Sequence, residues 1–210
     1  MRICVFCGSS PGRSQQYVAS ARAFGRALAG RGVGVVYGGA SVGAMGALAD
    51  AALAAGGEVV GVIPEQLVDR EIAHRGLSQL HVVTDMHERK ALMADVADGF
   101  VALPGGAGTL EEFFEVWTWA QLGLHTKPLG LLDVDGYYQP LLRFINHMVT
   151  EEFLDAAYSD MLVVASDPVV ILDRFARYRP PNSKWRDAPA TVDSGAPVAN
   201  TPGPRWPAAG

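Results

Sequence analysis

The sequence predicts an α/β fold, a Rossmann-like doubly wound parallel sheet flanked by helices on both faces. Short apolar runs alternate with helical patterns, and the runs are nearly continuous in Val, Ile and Leu. Three of the runs also lead into glycine-rich loops. Continuous apolar strands are typical of a parallel sheet that is buried on both faces, and such loops are typical of its ligand-binding edge.

Seven apolar runs are predicted as strands, and six helical patterns fall between or after them. The strands are Ile3–Phe6, Val33–Tyr37, Val59–Ile63, Leu80–Val83, Phe100–Leu103, Leu129–Leu132 and Leu162–Ala165. The helices are Gln15–Gly30, Val42–Ala55, Met86–Ala97, Thr109–Leu122, Tyr138–Thr150 and Pro168–Tyr178. This alternation predicts consecutive strand–helix units in one sheet.

Composition sets the domain count and excludes some partners. The 210 residues are 49% hydrophobic and carry a net charge of −5, which suits a single domain over residues 1–179. No run of Lys or Arg could neutralise a nucleic-acid backbone, so we expect no nucleic-acid partner. Residues 180–210 are rich in Pro, Ala and Gly, and we expect this tail to be disordered.

The first residues and the two cysteines predict a cytoplasmic protein without a membrane or metal partner. The apolar run Met1–Phe6 is too short, and too soon interrupted by Gly8, to be a signal peptide. No apolar stretch is long enough to cross a bilayer. Cys4 and Cys7 could form a redox pair or half of a zinc site, but residues three apart on a strand face opposite sides of a sheet. We expect two reduced structural cysteines.

The most informative segment runs from Leu103 to Glu112, where a buried strand leads into a glycine loop that opens a helix. Glycines allow a ligand to approach the backbone, and the first N–H groups of a helix attract anions. No Gly-Lys-Ser/Thr follows, so the loop differs from that of nucleoside triphosphatases. It predicts phosphate binding without triphosphate hydrolysis. In a doubly wound sheet this loop should converge with those at Gly8–Ser10 and Gly38–Gly46.

The carboxylates after this loop have two possible interpretations. Thr109 and Glu112 have the spacing of a capping box, and Glu111 and Glu115 would extend an acidic first turn that suits the helix dipole. Alternatively, Glu112 lies within reach of a bound sugar, where a carboxylate could hold ribose hydroxyls or stabilise an oxocarbenium-like centre.

The loop at Gly38–Gly46 follows a strand and opens a helix, but it lacks the G-x-G-x-x-G spacing of dinucleotide sites. It predicts a mononucleotide loop, with a purely structural turn as the competing interpretation. Glu65 could serve as a ribose-binding acid in a dinucleotide site, although the preceding Pro64 favours a turn.

Two adjacent cations, Arg89 and Lys90, lie early in a predicted helix, where the dipole disfavours positive charge. They either pair with Asp85 or Glu88, or Arg89 faces a ligand and binds phosphate or a purine nitrogen. For Arg70 and Glu71 the same two interpretations are open: they either face a ligand or are charged loop residues exposed to solvent.

The helix after the glycine loop carries four aromatic side chains on several sides. It is apolar nearly all round because of Phe113, Phe114, Trp117 and Trp119. We therefore expect it to contribute to an oligomer interface.

These motifs resemble those of the LONELY GUY (LOG) family, the cytokinin riboside 5′-monophosphate phosphoribohydrolases. Pro104 to Glu112 matches the family's P-G-G-x-G-T-x-x-E motif, and Met86 to Lys90 matches its M-x-x-R-K segment. Further segments that look like the family's are Gly38 to Gly46, Pro64, Arg70 to Ile72, Thr118 to Gly123 and Asp135 to Tyr138. The resemblance covers Met1 to about Arg179.

The resemblance implies hydrolysis of the N-glycosidic bond of an N6-modified adenosine monophosphate, without a metal or cofactor, by a homodimer. It implies that Arg89 and Glu112 are catalytic. The expected substrate contacts are Gly8, Ser9, Gly39, Ser41, Gly43, Met45 and Gly105 from the loops, and Glu71, Lys90, Gly106, Ala107, Gly108, Thr109, Leu110, Glu111 and Thr118 from the resemblance. A nucleotide or cofactor carrier without turnover is the alternative.

The family's older label, lysine decarboxylase, implies a lysine that holds pyridoxal phosphate as a Schiff base. The lysines are Lys90, Lys127 and Lys184. None lies in a recognisable cofactor motif, and Lys90 alone is not excluded by its position.

Overall fold

Seven strands form one sheet, and every predicted strand is confirmed. The computed structural model describes residues 1–68 and 73–181. The strands are β1 (Arg2–Phe6), β2 (Gly34–Tyr37), β3 (Val59–Pro64), β4 (Gln79–Val83), β5 (Gly99–Ala102), β6 (Leu129–Leu132) and β7 (Leu162–Ala165).

The sheet has the order β4-β3-β2-β1-β5-β6-β7, and each neighbouring pair is parallel. The chain builds outward from β1 in one direction and then starts again from β5 in the other. Loops that leave β1 and β5 therefore diverge to opposite faces, and the crevice between them is where open α/β sheets bind ligands. The predicted doubly wound fold is confirmed.

Seven α-helices are described, and they include all six that were predicted. They are α1 (Gln15–Gly30), α2 (Gly43–Ala54), α3 (Met86–Asp95), α4 (Ala107–Gln121), α5 (Gln139–Thr150), α6 (Ala156–Asp160) and α7 (Pro168–Phe175). The short α6 and the two 3₁₀ turns at Glu65–Leu67 and Val134–Gly136 were not predicted, because elements of three to five residues carry too little periodicity.

The sheet separates two hydrophobic clusters, one on each face. One cluster contains Phe24 of α1 and Leu48 of α2, and the other contains Phe113 and Trp117 of α4. Cys7 belongs to the first cluster and Cys4 to the second, and both are buried free thiols. Burial raises the pKa of each thiol, which favours the protonated form, and neither thiol is in a disulfide.

The expectation that all strands are buried on both faces is wrong for β4. Its first four residues, Gln79 to Val82, are exposed, and only Val83 is buried. β4 is an edge strand, so it has one neighbour and less cover from helices. Its apolar composition alone did not reveal that position.

Two predicted regions fall partly or wholly outside the described residues. Arg70 and Glu71 lie in the segment 69–72, and most of the tail lies in residues 182–210. Within residues 1–68 and 73–181, no helix is both long enough and apolar enough to span a bilayer.

Candidate active site

The three glycine-rich loops meet at the carboxyl edge of the sheet, as predicted. The Gly8 N–H donates to the Pro104 carbonyl at 3.3 Å, and the Gly8 carbonyl accepts from the Ala44 N–H at 3.1 Å. A Cβ on Gly43 would overlap the Ser9 carbonyl, so the loop after β2 lies against the loop after β1. The three loops thus form one continuous surface at the switch point.

A cavity of about 270 Å³ opens on this surface, close to the lower end of the roughly 300–1,000 Å³ of small-molecule sites. It is lined by Cys7, Gly8, Ser9, Met45, Leu67, Met86, Arg89, Gly106, Gly108, Thr109, Glu111 and Glu112. Nine of these were predicted from the sequence as site residues. The loops after β1 and β5, the start of α4 and one face of α3 are thereby brought together.

The start of α4 corrects the predicted capping box. The helix begins at Ala107, its N-cap is Gly106, and no side chain caps it. Thr109 is therefore the third helical residue and not the cap, and Glu111 and Glu112 lie beyond the first turn. A helix start without a capping side chain presents its first N–H groups to a ligand or to water, so this end of α4 suits an anion.

Arg89 and Glu112 lie next to each other in the cavity lining. Arg89 Nη2 lies 3.7 Å from Glu112 Oε1, and their side chains are 7% and 11% exposed. Arg89 Nη1 donates to the Met86 sulfur at 3.6 Å, while the buried Nε has no hydrogen-bond partner. A guanidinium carries five N–H donors, and a buried donor without a partner is costly. Because Arg89 also lines the cavity, its guanidinium can bind an anionic or electron-rich ligand group there.

The alternative ion pair of Arg89 or Lys90 with Asp85 or Glu88 is not formed among the described residues. Asp85 caps α3 by accepting from the backbone N–H groups of His87 and Glu88 at 2.8 and 2.9 Å. Glu88 accepts from the Thr84 hydroxyl at 2.6 Å, and this bond and the backbone N–H of Thr84 lower the pKa of Glu88. Local hydrogen bonds occupy both acids, and Arg89 turns towards α4.

Lys90 is not part of the cavity lining. Its ammonium contacts Glu111 at 2.6 Å and Glu115 at 3.0 Å. Burial alone would lower the pKa of Lys90, but its hydrogen bonds to Glu111 and then Glu115 outweigh burial and raise it. A Schiff-base lysine needs the opposite shift, towards the neutral amine.

Lys127 is also engaged elsewhere, since its ammonium donates to the Ala94 carbonyl at 2.8 Å. Lys184 lies outside the described residues. Neither described lysine is placed to form a Schiff base in the cavity.

Several predicted contact residues lie behind or beside the lining. Gly105 packs under the loop against Gly8 and Thr109, and Thr118 is exposed about three turns along α4, where its hydroxyl donates to the Phe114 carbonyl at 2.7 Å. The others outside the lining are Gly39, Ser41, Gly43, Lys90, Ala107 and Leu110, and Glu71 lies outside the described residues. Their contact with substrate stays a prediction.

Three lining residues were missed by the sequence reasoning. Met86 had a usable signal, because it lies three positions before Arg89 and therefore on the same helix face. Cys7 continues β1 into the first loop, and its position at a strand end could have suggested it. Leu67 gave no signal, because it reaches the cavity from the 3₁₀ turn after β3. Glu65 in the same turn is exposed and outside the lining, which confirms the turn interpretation.

A second cavity, of about 520 Å³, lies at the opposite edge of the sheet. Its charged groups already satisfy one another, because the Arg2 side chain pairs with Glu58 at 2.8 Å and the Arg2 N–H donates to Asp98 at 2.7 Å. The cavity at the carboxyl edge, with its unsatisfied arginine donor, is the better candidate site. No group of three metal-ligating side chains occurs within the described part of the chain.

Comparison with known proteins identifies the family. The chain is 55% identical over 166 residues to a cytokinin riboside 5′-monophosphate phosphoribohydrolase of Rhodococcoides fascians, covering 79% of this chain and 84% of the relative. This chain belongs to the LONELY GUY family. A LONELY GUY enzyme of Arabidopsis thaliana with the same activity in its name is 46% identical over 85% of this chain and 83% of its own length. The family model described as "Possible lysine decarboxylase" matches residues 45–175.

More distant structures share the fold. The molybdenum cofactor carrier protein of Chlamydomonas reinhardtii superposes with a TM-score of 0.65 at 22% identity, covering 84% of this chain and 96% of that chain. The molybdenum cofactor binding protein of Rippkaea orientalis has a TM-score of 0.63 at 20% identity, covering 84% of this chain and 95% of its own. At this identity the likeness extends to the Rossmann-like architecture alone.

Proposed function

We propose that this protein is a phosphoribohydrolase that cleaves the N-glycosidic bond of N6-modified adenosine 5′-monophosphates, for example isopentenyladenosine monophosphate, with AMP as a second candidate substrate. The products are the free cytokinin base and ribose 5-phosphate. The observation that carries the proposal is the buried Arg89–Glu112 pair, which faces the uncapped start of α4 in one cavity. The activity named for the LONELY GUY relatives supports the same reaction.

The glycine loop supplies the phosphate site in this proposal. A Cβ on Gly106 or Gly108 would meet no protein atom within 4 Å, so packing does not explain why glycine stands at either position. Both residues line the cavity at the positive end of the α4 dipole. A 5′-phosphate bound there would accept hydrogen bonds from the first N–H groups of the helix, because glycine lets the phosphate come close to the backbone.

Glu112 and Arg89 supply the chemistry. In the reaction the bond from C1′ to the purine nitrogen breaks, water oxygen bonds to C1′, and a water proton ends on the departing base. The Glu112 carboxylate orients the ribose and either stabilises positive charge at C1′ or accepts the proton of the attacking water. Arg89 holds ligand phosphate or stabilises the negative charge that develops on the leaving purine.

The second candidate is a nucleotide or cofactor carrier without turnover, and the shared fold of the molybdenum cofactor proteins motivates it. A carboxylate that holds ribose hydroxyls would suit either protein, but a carrier does not need a group that stabilises charge at C1′ or activates water. The activity named for relatives at 46–55% identity, against 22% identity to the carrier, favours the enzyme.

A cytoplasmic location and a homodimer complete the proposal. Nucleoside monophosphates are intracellular compounds, which fits a cytoplasmic enzyme. On α4, Phe113 and Trp117 fill the protomer's own core, whereas Phe114 and Trp119 are only partly buried. Exposed Leu122 extends this apolar surface at the end of the helix, and the mass in solution measured by light scattering tests the dimer.

Product analysis of wild type and of Glu112→Gln tests the reaction, using isopentenyladenosine monophosphate and AMP separately without added metal. We expect wild type to release base and ribose 5-phosphate, and Glu112→Gln to lose turnover by roughly 100- to 10,000-fold with its melting temperature retained. Glu115→Gln is the matched control, since Glu115 lies on the same helix, pairs with Lys90 and is outside the cavity lining.

Three outcomes contradict parts of this proposal. Wild-type turnover by Glu112→Gln would exclude a catalytic function for Glu112. Unfolding of that variant would indicate a structural function. Tight binding of both nucleotides by wild type without any release of base would favour the carrier.

A further inference from the structure

Three consecutive carbonyls at the end of β5 accept hydrogen bonds from outside the loop. The Leu103 carbonyl accepts from the Tyr138 hydroxyl at 2.6 Å, and the Pro104 carbonyl accepts from the Gly8 N–H at 3.3 Å. The Gly105 carbonyl accepts from the Tyr137 hydroxyl at 2.5 Å. The orientation of these three peptide planes is therefore fixed by groups outside the loop.

Fixing a carbonyl also fixes the N–H of the same peptide unit, because the unit is planar and its two polar groups point in opposite directions. The unit that carries the Gly105 carbonyl also carries the N–H of Gly106, which is the N-cap of α4 and lines the cavity. We propose that Tyr137 is a positioning residue, whose hydroxyl holds the Gly105 carbonyl so that the Gly106 N–H is aimed at the phosphate of the ligand.

Tyr137 is itself held by contacts that do not involve the loop. Its ring packs edge-on against Tyr17 of α1 at 5.5 Å and against Tyr138 at 5.1 Å. The backbone of Tyr138 is anchored because its N–H donates to the Asp133 carboxylate at 2.7 Å. The hydroxyl is therefore in place before a ligand arrives, which reduces the ordering that binding requires.

The loop needs such support because glycine does not restrict its own backbone. Gly105 and Gly106 lack the side chains that would limit their peptide orientations, and their conformational freedom is correspondingly large. If the peptide unit between Gly105 and Gly106 flipped, its carbonyl and not its N–H would point towards the phosphate. A carbonyl oxygen repels an anion. One external hydrogen bond at Gly105 is enough to disfavour that flip.

Tyr138 provides a matched control. Its hydroxyl holds the Leu103 carbonyl in the same way, but the next residue is Pro104, which has no N–H. Orienting that peptide therefore aims no donor at the ligand. Tyr138 is 1% exposed, so loss of its hydroxyl should reduce stability by leaving a buried carbonyl without its partner.

The experiment compares wild type, Tyr137→Phe and Tyr138→Phe by calorimetric binding of ribose 5-phosphate, inorganic phosphate and adenosine. We expect Tyr137→Phe to bind ribose 5-phosphate and phosphate about three- to tenfold more weakly, to bind adenosine as wild type does, and to keep its melting temperature. In kinetics on isopentenyladenosine monophosphate its KM should rise by a similar factor, with a smaller change in kcat. Tyr138→Phe should melt earlier and bind phosphate as wild type does.

The inference rests on the proposed function in taking a phosphate-bearing ligand for this cavity, but its test does not need turnover. Unchanged phosphate affinity in Tyr137→Phe would overturn the inference while leaving the hydrolase intact, as would an equal loss for adenosine. Binding of ribose 5-phosphate by a wild type that releases no base would overturn the hydrolase and leave the inference testable. Failure of wild type to bind either phosphate compound would overturn both.

Discussion

Two glycine-rich loops of this protein look alike in sequence and differ in structure. In the loop after β2, added Cβ atoms would collide with protein: on Gly43 with the Ser9 carbonyl, and on Gly46 with the Ser41 carbonyl. In the loop after β5, Gly106 and Gly108 face open space and line the cavity. The first loop uses glycine to bring protein segments together, and the second leaves room for a ligand.

Glycines within one motif also differ in what they do. Gly105 belongs with the packed glycines, since an added Cβ would collide with Thr109 and lie 2.9 Å from the Gly8 nitrogen. Gly38 lacks the Cβ that would collide with the Arg89 guanidinium, so it makes room for a proposed catalytic side chain. A glycine's function is therefore decided by what lies opposite its Cα.

The largest expected effect is on stability, at Gly43. Its φ of 59° is unfavourable for alanine, and the new methyl group would also overlap backbone that cannot move easily. We expect Gly43→Ala to lower the free energy of unfolding by about 3 kcal/mol, measured by urea denaturation. Gly30→Ala is the control, because Gly30 ends α1 and an added Cβ there would meet no atom within 4 Å. A Gly43→Ala variant as stable as Gly30→Ala would contradict the packing argument.

The next effect is on binding, at Gly108. The methyl group of Gly108→Ala meets no protein, and alanine favours a helix by up to about 1 kcal/mol, so stability should be unchanged or raised. In the cavity the same methyl should obstruct the phosphate and weaken ribose 5-phosphate binding by roughly tenfold or more, through loss of charge-assisted hydrogen bonds. Titration calorimetry measures the change. If Gly108→Ala binds as tightly as Gly30→Ala, the loop does not hold the phosphate.

The smallest effect comes from pH, and it acts on stability at the other end of α4. Burial lowers the pKa of His125 below its ordinary 6.5, although its bond to the Val116 carbonyl opposes the shift. The His125 Nδ1 accepts from the Lys127 N–H at 3.1 Å, so the fold favours the neutral ring.

The unfolded chain therefore takes up the proton at higher pH, and the stabilisation present above about pH 6.5 is lost as the pH falls through the folded-state pKa. We expect this loss of stability to be reduced in His125→Gln and retained in His81→Gln, which alters the exposed edge strand. Melting curves from pH 7.5 to 5 measure it. Gly108→Ala should show the same pH dependence as wild type; a different one would mean that the two ends of α4 are coupled.

The sequence predicted most of the fold and most of the cavity lining. The start of α4 is an example of what it did not predict. The glycine loop and the helix after it were predicted, but the helix was placed two residues late, so Thr109 was interpreted as a cap. Spacing cannot decide between a cap and a buried third residue, because both allow the same pattern. The burial of Thr109 against Gly105 decides it.

Pairing of charges was less predictable still. Asp85, Glu88, Arg89 and Lys90 are near neighbours in sequence, and local pairing was a reasonable expectation. The structure directs the two acids to Thr84 and the start of α3, and directs both cations to α4. A long side chain has several partners within reach, and the fold selects among them by bringing the α4 carboxylates close to Arg89 and Lys90.

The sequence by itself determined the order of strands and helices, the parallel sheet and the convergence of three glycine loops, because these follow from local periodicity and from the chirality of strand–helix units. Only the tertiary structure decided which glycines face protein and which face the cavity, that Arg89 meets Glu112, and that Tyr137 holds the Gly105 carbonyl. Those features depend on contacts between residues far apart in the chain, and such contacts produce no periodic pattern or fixed spacing in the sequence.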